Sequence, residues 1–414
     1  MTQLTKGNTR LQFNNSTLNI IPVFSSTWDT TKVGTSTPLQ IQIPFSTFIG
    51  DTVVYWGDGS NNTYTSSDSG SKTHTYLSGG VYKVTIKGKF NCFRFNNTGD
   101  KLKIINISSW GSAIFSNTSL FYGCSNLDIT ATNAPKIQTT LSLMFALCTS
   151  LTSLDMSKWD TSSVTTMFAS FVQCTSLTTI NVSNLDISSV ESLRSTFFGC
   201  SSLETLDVSN WDTSSVTDMR TTFKSCTSLG TLDVSKWNIS LVTTLEATFM
   251  ECPVTTLDVS EWNTSSVESL FGSFYDCTSL ETLDVSEWDT SSVTDMTTLF
   301  YGCNSLTILD VTNWNTSLVQ LMGWMFANCY SLTTANLSSW NISNVTDLVN
   351  FMDSANLWTD SQYDDVLLSW SQQTVKPNLV VNFADAHYQP SSLAAKTILT
   401  TSPNLWTITD GGPA

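Results

Sequence analysis

The most regular feature of the chain is a pattern of apolar positions that returns about every 26 residues. In residues 203–229, Leu206 and Val208 alternate with polar residues, which predicts a short strand with one buried face. Apolar side chains then follow at spacings of three and four, at Val216, Met219, Phe223 and Cys226. Those spacings match one face of a helix, so each repeat is predicted to hold one strand and one short helix.

Two residue types mark the repeat with little variation. Tryptophan returns at one position, among others at Trp211, Trp237, Trp262 and Trp288. Cysteine returns at another, among others at Cys200, Cys226, Cys252, Cys277 and Cys303. A period of roughly 20 to 29 residues with this leucine spacing is typical of leucine-rich-repeat solenoids. The predicted fold class is therefore an α/β leucine-rich-repeat solenoid of about ten 26-residue coils with a parallel β-sheet.

The start of each predicted helix carries a capping signal. Ser215 is followed three residues later by Asp218, and Ser292 and Asp295 repeat the arrangement. A hydroxyl at such a position accepts a hydrogen bond from a free amide of the first turn, and the carboxylate reaches back. The repeated tryptophans lie between strand and helix, where we expect them to cover the edge of each coil and to stack on one another.

The regular repeat occupies the middle of the chain, which is divided into four predicted parts. Residues 25–95 alternate like strands and predict an all-β sandwich, and residues 96–352 form the solenoid. Residues 353–414 are predicted to form a C-terminal α/β cap, because the last coil must cover its apolar face. Residues 1–24 are predicted to dock the chain into a larger particle.

The consensus sequence of the repeat resembles that of a known family. The phrase LDVSxWDTSSVTDMxxxFxxCxSL, present in looser form over residues 100–352, resembles the repeat of the BspA-like leucine-rich-repeat surface proteins. Residues 353–414 are similar to the cap that follows such repeats. The resemblance implies a module of microbial surface and phage-encoded proteins that serves in adhesion. It implies no catalytic residues.

A second resemblance lies before the repeat. Trp56 is followed by Gly-Asp-Gly, and the sequence HTY places His74 and Tyr76 further along. This combination resembles the polycystic-kidney-disease-type (PKD-like) β-sandwich, which implies a spacer or an adhesive domain. We expect Asp58 to bond within its turn and His74 within the sheet, and a metal site between them is the alternative.

The cysteine column has three interpretations. Small buried thiols are favoured, because free cysteine is among the most buried residue types. Disulfides between neighbouring coils are disfavoured, since stacked side chains run parallel and do not face each other. Metal binding is weaker still, because the sequence offers no CxxC pair or companion histidine.

The candidate binding site is the exposed face of the predicted strands, where threonine and aspartate recur in columns. Its residues are Thr205, Asp207, Thr231, Asp233, Thr256, Asp258, Thr282, Asp284 and Asp310. Carboxylates stacked about 5 Å apart repel one another, so they must be hydrogen-bonded, partly protonated or bridged by cations. One interpretation is a polar ladder bonded to backbone and hydroxyl neighbours. The other is a ligand face, with Asp233, Asp258 and Asp284 as candidate calcium ligands and no other cofactor.

Charge and hydropathy limit the partners. The chain has 18 Lys and Arg against 34 Asp and Glu, and its net charge of -16 disfavours nucleic acid and anionic lipid. The sequence shows no apolar signal-peptide region and no window of about 18 apolar residues that could insert into a membrane. The predicted location is a virion surface or the extracellular space.

Three functions agree with these features. The leading hypothesis is a non-enzymatic adhesion or receptor-binding protein on the tail, fibre or capsid surface of a phage or virus. It would bind a host surface glycan or protein through the solenoid, and virion or other assembly proteins through residues 1–24. A secreted or cell-surface bacterial adhesin is one alternative, and a structural decoration or assembly protein of a virion is another. An enzyme is not expected, since the chain has two histidines and its carboxylate pairs belong to repeated positions.

Overall fold

The structure, a computed structural model, describes residues 23–91, 93–355 and 359–414. In these ranges the chain forms an N-terminal β-region, a long β-solenoid and a C-terminal region with two helices. The predicted docking segment, residues 1–24, lies outside the described residues except for its last two positions. Its docking role stays a prediction.

Regular strands are longest before the repeat becomes regular. The earlier strands are β1 (Phe24–Asp29), β2 (Gln40–Ile43), β3 (Phe48–Tyr55), β4 (Asn61–Tyr64), β5 (Lys72–Thr75), β6 (Val81–Asn91), β7 (Ile104–Trp110), β8 (Ala113–Phe115), β9 (Asp128–Ile129) and β10 (Lys136–Ile137). The later strands are β11 (Ser153–Asp155), β12 (Thr179–Asn181), β13 (Thr256–Leu257), β14 (Thr282–Leu283), β15 (Val380–Asn382), β16 (His387–Tyr388), β17 (Thr407–Thr409) and β18 (Gly412–Pro413). The helices are α1 (Asp360–Ser371) and α2 (Leu393–Thr400), and a 3₁₀ turn at Pro390–Ser392 precedes α2.

One eight-stranded sheet joins the N-terminal β-region to the first coils. Its main path runs in the order β10-β8-β6-β1-β7-β9, and β3 pairs with both β6 and β4. Strand β1 is antiparallel to β6 and β7, whereas β8 and β9 continue β6 and β7 in parallel. The sheet therefore crosses the position between residues 95 and 96 at which the sequence predicts a domain boundary. Strands β2 and β5 form a separate antiparallel pair.

Two ladders of parallel bridges hold the coils together. The first joins the strand positions, as in the series Thr179, Thr205 and Thr231. The second joins a later position of every coil, through Thr140, Thr166, Ser192, Asp218, Thr244, Ser269, Asp295, Leu321 and Asp347. Between the second ladder and the cysteine the chain forms consecutive turns. We call this segment, residues 218–226 and their equivalents, the turn ribbon.

The turn ribbon replaces the helix that the sequence predicts in each coil. In an α-helix every interior amide bonds four residues back within the same segment. In the turn ribbon the amides alternate, because Thr222 donates to Met219 in its own coil, whereas Thr221 donates to Glu246 of the next coil. Half of the backbone donors therefore connect neighbouring coils, which a helix layer could not do.

Backbone conformation also excludes a helix in this segment. Thr221 and Ser225 have φ values of 53° and 58°, in the left-handed region, and the next coil places Ala247 and Glu251 there. A non-glycine residue pays about 1 kcal/mol or more for this conformation. The hydrogen bonds to the next coil offset that cost. The apolar spacing is misleading because side chains three and four residues apart can also fill the inner face of a run of turns.

The predicted fold class is therefore wrong, and the repeat forms a β-solenoid. Ser215 caps no helix, because its hydroxyl donates to the carbonyl of Ser188, and Asp218 accepts from the amide of Arg220. Within the described residues, helices occur only after the last coil. Before the regular coils, one sheet continues from the N-terminal β-region into the first coils. After the last coil, α1 and α2 accompany strands that extend the second ladder, so the end is not the helical cap of a leucine-rich repeat.

Side chains inside the solenoid stack in continuous columns. The rings of Trp211 and Trp237 lie parallel with centroids 6.1 Å apart, and those of Phe197 and Phe223 are 6.0 Å apart. The indole N–H of Trp237 donates to the carbonyl of Val208 on the preceding coil at 3.1 Å. Tryptophan thus contributes both ring contact and a hydrogen bond to the stacking of coils.

The nine cysteines within the described residues are free, buried thiols. From Cys148 onward, each Sγ donates to a phenylalanine carbonyl of the preceding coil, as Cys226 does to Phe197 at 3.1 Å. Burial raises the pKa of Cys226 well above its usual range and raises the pKa of Cys174 and Cys329 to about 12. The column is part of the core.

The C-terminal region extends the second ladder and covers the last coil. Leu348 pairs with Val381 of β15, and β15 pairs in parallel with β17. Gln373, which follows α1, accepts from the amide of Ile342 and donates to the carbonyl of Trp340, both at 2.8 Å. Backbone groups that another coil would have used are thereby satisfied.

Candidate functional site

The candidate site is the outward face of the strand positions, which we call the strand face. All nine predicted site residues are exposed on it: Thr205, Asp207, Thr231, Asp233, Thr256, Asp258, Thr282, Asp284 and Asp310. Alternation along the strand fixes this orientation, because a buried leucine lies between each threonine and its aspartate. The parallel bridges then align the two residue types in columns along the solenoid.

The threonine column carries hydroxyls that the protein itself does not use. Within the described residues, the side chains of Thr205, Thr231, Thr256 and Thr282 form no hydrogen bond. Thr217, on another exposed column, behaves differently, because its hydroxyl donates to the carbonyl of Glu191 at 3.1 Å. The strand face therefore offers unpaired donors and acceptors to a ligand.

Each aspartate of the strand face closes a turn with one of its two oxygens. Oδ1 of Asp233 accepts from the hydroxyl of Ser235 at 2.7 Å and from its amide at 3.1 Å. The hydroxyl bond and then the amide bond lower the pKa of Asp233, and Ser286 lowers the pKa of Asp284 in the same way. Within the described residues, Oδ2 of Asp233 has no hydrogen-bond partner. The polar-ladder interpretation thus accounts for one oxygen and leaves the other facing solvent.

A groove of about 560 Å³ runs over part of the strand face, from Ile180 to Thr256. Of the predicted site residues it brings together Thr205, Asp207, Thr231, Asp233 and Thr256. Asp258, Thr282, Asp284 and Asp310 continue the columns beyond it. Asn181 and Ser183 also line the groove, although the sequence did not single them out as site residues. Their signal is positional, because Asn181 occupies the aspartate position of its coil.

The structure gives no geometric support for a metal site on this face. Within the described ranges, no group of three or more His, Cys, Asp or Glu side chains is placed to hold a metal ion. Calcium takes about six to eight oxygen ligands, and each coil offers one carboxylate whose Oδ1 already closes a turn. Calcium at Asp233, Asp258 and Asp284 stays a prediction.

Asp58 and His74, the other pair singled out from the sequence, lie together in the N-terminal β-region. Nε2 of His74 is 2.8 Å from Oδ2 of Asp58, and its ring stacks on Trp56 at 4.7 Å. Burial, the largest influence, opposes the shift, but hydrogen bonds from Ser60 and His74 lower the pKa of Asp58 to about 2. These contacts join the turn after Trp56 to β5.

The repeat can now be compared with known families. The model of a family described as "Mycoplasma protein of unknown function, DUF285" matches residues 91–206, 139–255, 169–283 and 268–389. The matches overlap and together cover well over half of the chain. The chain belongs to this family. No curated protein matches the DUF285 chain.

Membership of the DUF285 family supports the repeat part of the BspA-like resemblance. The PKD-like resemblance of residues 25–95 gains no such support and stays a prediction. Among the helices that the structure describes, none is long and apolar enough to cross a membrane.

Proposed function

We propose that the chain is a non-enzymatic binding protein that attaches to a surface glycan through the groove of the strand face. The observation that carries the proposal is the groove from Ile180 to Thr256, where unpaired threonine hydroxyls lie beside solvent-facing carboxylate oxygens. Sugar hydroxyls can donate to such carboxylates and can exchange hydrogen bonds with threonine in both directions.

The solenoid multiplies this arrangement. Neighbouring coils place the same pair of side chains about 4.8 Å apart, so a long ligand can use several coils at once. Repeat proteins commonly bind through extended surfaces of this kind, and a family of repeat proteins with a solenoid fold fits a binding or adhesin role. The predicted locations, a viral particle or a bacterial surface, both suit such a module, and the proposal concerns binding alone.

The test is a binding screen of the full chain on a glycan array and on intact candidate host cells, with calcium and with a chelator. The groove variant combines Thr205→Val, Asp207→Asn, Thr231→Val and Asp233→Asn, which keep the shapes of the side chains and remove two hydroxyls and two charges. Each lost hydrogen bond is worth about 1 kcal/mol, so affinity should fall at least about a hundredfold.

The matched control removes two charges elsewhere. Asp212→Asn and Asp289→Asn change another exposed column, whose aspartates close similar turns with Ser214 and Ser291. This control should bind like the wild type. Equal losses in both variants would reduce the effect to net charge, and an absence of any binding would favour the alternative of a structural protein. Loss of binding in the chelator would support the calcium prediction.

A further inference from the structure

The residues on the outer surface of the turn ribbon differ in charge from coil to coil, whereas the strand face repeats the same residues. Three basic residues lie in two successive coils, those of Cys200 and Cys226, and three acidic residues lie in the next two, those of Cys252 and Cys277. The basic residues are Arg194, Arg220 and Lys224, and the acidic residues are Glu246, Glu251 and Asp276. Arg220 pairs with Asp218 of its own coil, and the other five form no ion pair within the described residues.

The acidic half also carries a row of partly exposed rings. Tyr275 and Tyr301 stack with centroids 4.6 Å apart, and Trp324 continues the row 6.1 Å from Tyr301. The carboxylate of Asp276 lies over Gly302, at a place that any side chain at position 302 would occupy. Burial and then the charge of Glu251 raise the pKa of Asp276, so these two acidic side chains of neighbouring coils lie close enough to interact.

The basic half, formed by the coils of Cys200 and Cys226, also places its charges beside aromatic rings. The guanidinium of Arg194 lies 5.8 Å from the ring centre of Phe168, and the ammonium of Lys224 lies 5.6 Å from that of Phe198. Both cations extend over partly exposed rings, where they remain accessible to a partner. The charges therefore change sign between the coils of Cys226 and Cys252, with rings on both sides of that point.

We propose that the turn ribbon is a self-association surface, on which a second copy of the chain docks antiparallel about a two-fold axis between the coils of Cys226 and Cys252. A two-fold axis makes an interface self-complementary. In this register Lys224 faces Glu251 of the second copy, and Arg220, two residues after its ladder residue, faces Glu246 of the second copy, two residues after its own. A shift of the axis onto either central coil would place like charges opposite each other. The charge pattern thus selects a single register.

The occupant is a second copy because the surface supplies both signs in the order that an antiparallel copy requires. A purely basic or purely acidic partner would match one half and repel the other. The seven coils from Phe168 to Trp324 span about 30 Å at about 4.8 Å per coil. That is at the small end of stable interfaces, so a reversible dimer is expected. The proposal does not depend on ligand binding by the strand face.

The experiment is sedimentation velocity on the full chain between roughly 1 and 300 µM, at low and high salt, to measure a dimer dissociation constant. Arg220→Glu and Glu246→Lys, each alone, should raise this constant by about tenfold or more, because each places like charges together twice per dimer. The double variant exchanges the charges and should return to within about threefold of the wild type.

A second charge exchange provides an independent test if a variant of the first pair misfolds, which circular dichroism would show. Lys224→Glu and Glu251→Lys should weaken the dimer singly and restore it together. Asp207→Asn with Asp233→Asn, on the strand face, should leave the dissociation constant unchanged. A wild type that stays monomeric over the whole range would overturn the proposal. Double variants that associate no better than their single parents would overturn it as well.

Discussion

Aromatic rings of the N-terminal β-region meet at angles from nearly parallel to perpendicular, whereas rings at one repeated position of the solenoid lie parallel. Phe24 contacts both Phe90 and Phe93 at 90°, whereas Phe197 and Phe223 lie within 3° of parallel. Rings from unrelated positions can take the edge-to-face geometry that their quadrupoles favour. Rings from one repeated position are related by translation, which keeps them parallel. Repetition, rather than ring preference, therefore sets the packing inside the solenoid.

Parallel stacking makes each coil depend on a regular neighbour. The indole N–H of Trp288 donates to the carbonyl of Val259, as its equivalents do along the column. The indole N–H of Trp159 is buried and has no hydrogen-bond partner within the described residues, and the coil before it, residues 127–148, departs from the sequence of the repeat. A departure from the repeat thus leaves an unpaired polar group in the next coil.

The stacked column can be broken at its centre. Trp288→Ala removes a ring that lies between Trp262 and Trp314, with centroids 6.3 Å away on each side. We expect the free energy of unfolding to fall by about 3 to 5 kcal/mol, because the cavity opens in a core that cannot collapse along a fixed ladder. Urea denaturation measures the change. A loss below about 1 kcal/mol would show that the column contributes little.

The dependence on a regular neighbour can be isolated by removing only the indole N–H. Trp288→Phe removes one of two donors to the carbonyl of Val259, which keeps its bond from the amide of Trp262. Trp159→Phe removes an indole N–H that has no partner within the described residues. Both changes lose similar ring area, so we expect Trp288→Phe to cost about 1 to 2 kcal/mol more. Equal costs in thermal or urea unfolding would contradict the role assigned to the indole bonds.

The smallest expected effect is on the acid stability of the N-terminal β-region. The pKa of Asp58 is about 2 in the folded chain against 3.8 as its ordinary value, so its ionisation stabilises the fold above about pH 4. That contribution is lost as the pH falls through 2. We expect Asp58→Asn to remove about 1 kcal/mol of this acid dependence, a value reduced by solvent screening. Unfolding curves between pH 2 and 5 measure it, and an unchanged profile would contradict the Asp58–His74 interaction.

The sequence predicts the features that depend on strict alternation along a strand or on the 26-residue repeat. The buried Leu206 and Val208, the outward Thr205 and Asp207, and the stacked tryptophans all follow from those patterns. The conformation of residues 218–226 does not, because apolar spacings of three and four suit both a helix and a run of turns. The deciding interactions are backbone hydrogen bonds to the next coil, which no side-chain pattern records.

The extent of the groove could not be predicted from the sequence either. The columns repeat the same residues over many coils, so the sequence alone could not separate Asp233, inside the groove, from Asp258, beyond it. Only the relative placement of neighbouring coils defines the groove. The charges of the turn ribbon do not repeat along the sequence. Their grouping by sign becomes visible only when the structure aligns neighbouring coils.

The most direct test of binding through the strand face is carbodiimide labelling of carboxylates, read by mass spectrometry, on the chain held by the cells or glycan that retain it. We predict that Asp207 and Asp233 lose most of their labelling when bound, whereas Asp212 and Asp289 label as in the free chain. Unchanged labelling of Asp207 and Asp233 in the bound chain would contradict the assignment of the groove as the binding site.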